Sequence, residues 1–231
     1  LQRVLREVID AVEPGITTGE LDKIAKSRIK ELGGKPAFLG LYGFPGAVCI
    51  SVNEEIVHGI PGKRELKEGD IVSLDCGVIL DGFCSDMAYT APVGRVYDET
   101  QQLLKVTRES LEKAIEQCEP GKRLGDIGHA VQSHVEAAGF SIVEDYAGHG
   151  IGRKVHEDPR VENHGRPGRG ERLRPGLVMA IAPMVNLGTG ANEMLDDNWT
   201  VVSLDRSLSA HFEHTVAITE DGHMVLTGPE D

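Results

Sequence analysis

Asp75 and Asp86 are the residues of this chain that most need a chemical explanation. They lie in Ser73-Leu74-Asp75-Cys76-Gly77-Val78-Ile79-Leu80-Asp81-Gly82-Phe83-Cys84-Ser85-Asp86, which reads as two strands around an Asp81-Gly82 turn. Such a turn needs positive φ at both central residues, and Asp-Gly tolerates it. With those two residues as the loop, Leu80 faces Phe83 and Gly77 faces Asp86. Asp75 lies two residues before Gly77 and shares its face of the sheet. The two carboxylates are then diagonal neighbours, with Cβ atoms about 7–8 Å apart. They repel unless a proton or a cation lies between them. One exposed Asp at a hairpin end carries no meaning, but Asp75 sits between Ile71-Val72-Ser73-Leu74 and Val78-Ile79-Leu80. A carboxylate buried there needs a partner, either a metal or a set of backbone donors or an Arg.

Other residues could complete a metal site. Gly148-His149-Gly150-Ile151-Gly152 sets a His among three glycines, and glycine lets the chain approach a ligand closely. His149 therefore reads as a metal ligand or as a spare loop side chain. Phe212-Glu213-His214-Thr215 places Glu213 inside an apolar strand, where it too needs a partner. His58, in Ile56-Val57-His58-Gly59, and His156, in Lys154-Val155-His156-Glu157, could donate to a substrate carbonyl or a leaving amine. Cys84 points toward the aspartate side in the same register, and a thiolate there would favour zinc. A free cysteine is more often a core residue, and carboxylates dominate this set.

Such a site needs a scaffold that brings distant segments together, and an internal repeat supplies one. Glu13-Pro14-Gly15-Ile16-Thr17-Thr18-Gly19-Glu20-Leu21 matches Glu119-Pro120-Gly121-Lys122-Arg123-Leu124-Gly125-Asp126-Ile127 at an offset of 106 residues. The register extends to Leu5 with Leu111, Ile9 with Ile115 and Gly33 with Gly139. Each copy reads as a helix, a Pro-Gly break and a second helix that starts at Thr18 or Leu124. Strand-like runs follow: Ala47–Val52 and the Asp75 hairpin in the first copy, Leu177–Ile181 and His211–Ile218 in the second. The pattern predicts an α/β (α+β) fold, a single domain over 1–231 with pseudo-twofold halves of about 1–105 and 106–231. Helices should cover the outer face of a curved, mainly antiparallel sheet, and the site should lie where the halves meet.

Composition narrows the function classes. The chain is 40% hydrophobic, enough for a sizeable core, and has no run of about 18 apolar residues to span a membrane. A formal charge of −13 argues against general nucleic-acid binding. Arg166–Arg174 is a basic exception and reads as a solvated loop, with a weak anionic contact as the alternative. Leu1–Glu7 is an amphipathic helix fragment without an initiator Met, not a signal peptide, so the chain is expected to be trimmed, processed or incomplete. Cys49, Cys76, Cys84 and Cys118 form no CxxC pair, which fits a reducing cytoplasm.

With these segments in place, the whole chain resembles the compact type I methionine aminopeptidases of metallopeptidase family M24, which have the pita-bread fold. The likeness is carried by Ser51–Gly62 (SVNEEIVHGIPG), the two-aspartate hairpin, Gly148–Pro159 (GHGIGRKVHEDP) and Leu208–Thr219 (LSAHFEHTVAIT). It implies removal of the N-terminal methionine from nascent polypeptides with the help of two divalent cations, Mn, Fe or Co before Zn. In the family, two Asp, one His and two Glu hold them, and Asp75, Asp86, His149 and Glu213 match four of the five. At the fifth, the family has Glu before Pro-Met, whereas this chain has Ala182 before Pro183-Met184. One cation site is thus expected to be weakened and activity impaired. A single carboxylate lost from an otherwise intact segment reads as an inactivating substitution rather than drift. The resemblance gives His58 and His156 the task of steadying the carbonyl oxygen or the departing amide. It makes Phe38, Leu41, Phe44, Cys49 and Trp199 the methionine pocket, where each could otherwise be ordinary core. It implies a cytoplasmic monomer, with the ribosome as a candidate partner and no membrane or direct nucleic-acid contact. Two readings compete: a catalytically dead peptide-binding protein on the same fold, and a proline-directed aminopeptidase.

Overall fold

The Asp81-Gly82 turn forms as its composition demands, with φ of 50° and 80°. It sets the hairpin Ile71–Leu80 and Phe83–Pro92 in the expected register, with Leu80 opposite Phe83, Gly77 opposite Asp86 and Asp75 opposite Ala88. The computed structural model describes residues 1–228, and within them the hairpin belongs to a nine-stranded sheet. Val48–Val52 pairs with one side of the hairpin and Glu213–Ile218 with the other. Val178–Ile181, Gly148–Gly150 and Glu157–Val161 continue outward, every pair antiparallel.

Side-chain alternation gives this sheet two different faces. Val72, Leu74, Cys76 and Val78, with Val48, Ile50 and Val52, pack under α1 (Gln2–Asp10) and α2 (Thr18–Glu31). Met179, Ile181, Val216 and Ile218 do the same under α3 (Asp98–Ile115) and α4 (Leu124–Ala137). The alternate positions, Asp75, Gly77, Asp86, Ala88, Ala180, Glu213 and Thr215, are left to the other face.

The sequence repeat recurs as structure. Thr17 and Glu20 satisfy each other's backbone N–H groups in a capping box at the start of α2. At the start of α4, Asp126 Oδ2 accepts the Arg123 N–H at 2.8 Å. The Gly15 and Gly121 N–H groups donate to the Leu66 and Leu173 carbonyls, and those of Gly19 and Gly125 to Gly62 and Arg169. The Arg166–Arg174 loop exposes its arginines as expected, while its backbone is tied to the start of α4. The copies differ at Asp22, a buried carboxylate that accepts the N–H of Ala47 at 2.6 Å and of Val48 at 3.2 Å. Its counterpart, Gly128, instead lets the chain come so near that a Cβ would lie 2.3 Å from the His164 carbonyl oxygen.

The expected strand His211–Ile218 is broken at Phe212. Ser209–His211 pairs with Met184–Asn186 in a separate small sheet, and Glu213–Ile218 pairs with Val178–Ile181 in the large one. The partner chain is interrupted at the same level, at Ala182-Pro183, because Pro183 has no N–H to offer a ladder. The Phe212 N–H donates to the Pro183 carbonyl at 3.3 Å across the break. Among the described residues, no helix is long and apolar enough to cross a membrane.

Replacing Asp22 with Ala strands two buried N–H groups. Asp22→Ala is expected to lower the free energy of unfolding by about 1–3 kcal/mol, read from chemical denaturation; an unchanged midpoint would show that the carboxylate is dispensable.

Candidate metal centre

Two rows across the sheet build the site. In one, Cys49 faces Asp75, Asp75 faces Ala88 and Ala88 faces Glu213. In the other, Gly77 faces Asp86, and Asp86 is locked to Thr215 through the main chain. The Thr215 hydroxyl donates to the Asp86 carbonyl at 2.8 Å and accepts the Asp86 N–H at 2.9 Å. Thr215 then faces Ala180, and Ala180 faces His149. Small residues thus alternate with the long polar ones and leave room above the sheet for those side chains to converge. Gly77 serves the same end at the wall, since a Cβ there would lie 2.6 Å from the Phe38 ring.

Asp75, Asp86 and Glu213 are 8%, 3% and 4% exposed. One oxygen of each, Oδ1, Oδ1 and Oε1, is buried without a hydrogen-bond partner. Three orphaned acceptors in one place are what a cation satisfies. The potential ligand atoms form two groups, Asp75–His211–Glu213 and Asp86–His149–Glu213, each within 4.8 Å. Glu213 belongs to both. The His149 Nδ1–H donates to the Gly150 carbonyl at 2.9 Å, which leaves Nε2, 3.8 Å from Asp86 Oδ2, as the ring's lone-pair nitrogen. The His211 Nε2–H donates to Glu213 Oε2 at 3.1 Å. A donor set of carboxylate oxygens with imidazole fits a divalent first-row metal.

The site's electrostatics follow from this crowding. Burial pushes Asp75 up to about 7, with the Glu213 charge adding to the effect. Burial, then the charges of Glu213 and Asp75, hold Asp86 well above the usual carboxylate range. Burial also acts on Glu213, but the hydrogen bond and charge of His211 outweigh it and keep this carboxyl below its ordinary value. Burial opposes the charging of His211 as well; its hydrogen bond to Glu213 and that carboxylate's charge prevail, so His211 is raised. Burial takes His58 down to about 4. It also lowers His156, with His149 contributing, so both imidazoles are neutral near pH 7. His58 has a left-handed backbone, φ 62°, a conformation that clusters at functional sites. Its ring meets Trp199 and Tyr146 edge-on. The His156 ring lies between His149, at 4.5 Å, and Tyr42, stacked at 6.0 Å.

Every residue in the expected site set faces a single cavity of about 220 Å³. Asp75, Asp86, His149 and Glu213 form its floor, His58 and His156 flank them, and Ala182 lies beside them. Phe38, Leu41, Phe44, Cys49 and Trp199 make the apolar wall, with Phe44 and Trp199 edge to face at 5.1 Å. Sequence reasoning missed His211, whose signal was its two-residue spacing from Glu213. It also missed Tyr42, Val57, Tyr146 and Met184, wall residues that no periodicity marks. Cys84 belongs to neither ligand group. It packs against the wall cluster instead, and burial raises its thiol.

A family model described as metallopeptidase family M24 matches residues 1–220. The methionine aminopeptidase of Clostridium perfringens is 55% identical over 227 residues, 98% of this chain and 91% of that protein. Methionine aminopeptidase 1 of Bacillus subtilis is 53% identical over 216 residues, 94% and 87% of the two chains. The crystal structure of methionine aminopeptidase from Rickettsia prowazekii matches with a TM-score of 0.97 at 41% identity, over 98% of this chain and 92% of that one. The enzyme from Thermotoga maritima also gives 0.97, at 47% identity over 99% and 92%. The prolidase from Pyrococcus horikoshii, at 23% identity and a TM-score of 0.79 over 99% of this chain and 59% of its own, shares the fold alone.

Without metal, the raised Asp75 contributes stability that is fully present below about pH 4 and lost as pH rises through about 7. Asp75→Asn is therefore expected to stabilise the chelator-treated protein at pH 8 by on the order of 4 kcal/mol and to change little near pH 4. Thermal or denaturant unfolding at the two pH values checks this; a gain of equal size at both would contradict it.

Proposed function

We infer the chemistry of this site from one premise: the chain belongs to metallopeptidase family M24 and, within it, to the type I methionine aminopeptidases. Its reaction is the removal of an N-terminal methionine, its substrate the N-terminus of a nascent polypeptide, and its cofactors are divalent metal ions.

We propose the following roles for its side chains. Asp75, Asp86, His149 and Glu213 hold two divalent cations. The observation that carries this is the convergence of these side chains at the floor of an apolar cavity: Asp86, His149 and Glu213 form one ligand group, Asp75 lies within 4.8 Å of Glu213 beside it, and three acceptor oxygens are left unpaired. Manganese, iron or cobalt suit the oxygen-rich donors better than zinc. When bound, such ions lower the pKa of a water toward neutrality and polarise a carbonyl, as in two-metal hydrolytic sites generally, aminopeptidases among them. Phe38, Leu41, Phe44, Cys49 and Trp199 receive the methionine side chain, because flat and sulfur-bearing surfaces suit a flexible thioether. His58 and His156, neutral and rich in ring contacts, donate N–H to the carbonyl oxygen or the departing amide. His211 orients Glu213 through its 3.1 Å hydrogen bond.

Ala182 departs from the family motif, which has Glu before Pro-Met. We propose that its methyl, facing the cavity where a carboxylate would stand, weakens one cation site and leaves this chain with low activity. A protein that only bound peptides would have no use for four ligands and an orienting histidine together. We place the chain in the cytoplasm as a monomer, meeting its substrate at the ribosome. Four unpaired cysteines support a reducing compartment.

Ala182→Glu is expected to speed hydrolysis of a Met-Ala-initiated peptide by 10–100-fold or more in the presence of Mn²⁺ or Co²⁺, given what even outer ligand partners contribute. Equal rates in both forms would remove the impairment; cleavage of Xaa-Pro peptides but not Met-Ala peptides by the Glu form would remove the assigned specificity.

A further inference from the structure

We propose that the cation-loaded site of this chain binds a small monocarboxylate, of formate or acetate size, over the methyl of Ala182. The proposal rests on the two-cation reading above.

The backbone places Ala182 beside the carboxylate common to both ligand groups. Ile181 faces His214, Met184 faces His211, and the Phe212 N–H donates to the Pro183 carbonyl. Ala182 is therefore the cross-strand neighbour of Glu213, and such neighbours have Cβ atoms about 4.5–5.5 Å apart. The row that starts at Cys49 thus runs through Asp75, Ala88 and Glu213 to Ala182. Ala182 is 4% exposed, and it lines the cavity. Its carbonyl accepts the Asn163 Nδ2–H at 2.9 Å, and Asn163 is itself 2% exposed. The wall around Ala182 is Ile56, Val57, Val143, Met184 and Val201. The aliphatic members of this wall offer no polar group to the cavity beside the methyl; Tyr146, packed against them, carries a phenolic hydroxyl, and the cavity's other polar groups include the site's carboxylates and imidazoles.

Charge decides what enters. Two divalent cations would bring four positive charges, while Asp75, Asp86 and Glu213 supply three negative ones and His149 offers only the lone pair of Nε2. Before any bound water ionises, the loaded cavity would carry one excess positive charge in a buried setting, where an unbalanced charge is unfavourable, and a carboxylate would compete with hydroxide for it. A monoanion with two oxygens on one carbon balances it and offers the same donor chemistry as the carboxylates already present. A branched acid should fit less well, because the cavity wall at Ala182 is made by Val57 and Met184, which pack with Ile56, Val143 and Val201.

The test titrates chelator-stripped protein with CoCl2 in chloride buffer, by calorimetry and by visible absorption of Co(II), with and without sodium formate. The expected result is one tighter cation without formate and a saturable rise of at least 10-fold in the affinity of the second with it. Acetate should act more weakly and pivalate not at all. Ala182→Val, whose added methyls fill the recess, should lose the formate response; if that variant does not fold, the anion series on the unaltered chain decides. A second-cation affinity indifferent to formate, or raised equally by pivalate or perchlorate, overturns the proposal while leaving the metal centre standing. Failure to bind any cation, with or without formate, overturns the metal centre and this proposal together.

Discussion

Mutual repulsion among three buried carboxylates is the constraint around which this molecule is built. Two like charges about 4 Å apart interact by about 4 kcal/mol even at an effective dielectric of 20. Asp75, Asp86 and Glu213 are all nearly inaccessible, so the backbone must hold them together against that force. It does so with neighbouring antiparallel strands. The mutual hydrogen bonds between Asp86 and Thr215 pin the hairpin to the strand of Glu213. His211 and, in their protonated forms, the two aspartates relieve the repulsion; divalent cations between the carboxylates would relieve it further.

That demand explains why the sheet is two-faced. The rows that carry chemistry carry Ala88, Ala180, Gly77 and Thr215 between the polar side chains, residues too small to form a core. The core must come from the reverse side, where Val72, Leu74, Cys76, Val78, Met179 and Ile181 meet the four helices. The two helix pairs repeat each other because each covers half of the same curved surface. Besides the greater length of α3, they diverge at Asp22 against Gly128, a side chain that grips a neighbouring backbone against a gap that admits one.

Much of this was legible in the chain itself. Asp81-Gly82 fixes a turn, the turn fixes a register, and the register puts Asp75 and Asp86 on one face; each step is local. The repeat was legible because the same helix, turn and cap chemistry occurs twice. His211 was not, because the strand that bears it changes sheets at Phe212, and that change depends on Pro183 some thirty residues away in sequence. Tyr42 and Tyr146 were missed because a single left-handed turn over Leu41–Gly43 brings one to the wall and a loop the other, and neither has a period. Cys84 faces the side its register implies but falls short of both ligand groups. Ala182 is silent as a residue type; only the motif around it gives it meaning.

The two-residue turn at the hairpin tip is the molecule's ruler. Strand side chains alternate with a period of two, so one residue inserted between Leu80 and Phe83 would turn one strand of the pair over against the other. Leu74 and Cys76 would then look into the cavity, and Asp75 would press its charge into the aliphatic layer beneath α1 and α2. The chemistry of the floor is thus calibrated from a distance, by a solvent-facing bend that touches neither metal ligand nor substrate. Tolerance to insertion, usually generous at exposed loop tips, should be lowest at this one.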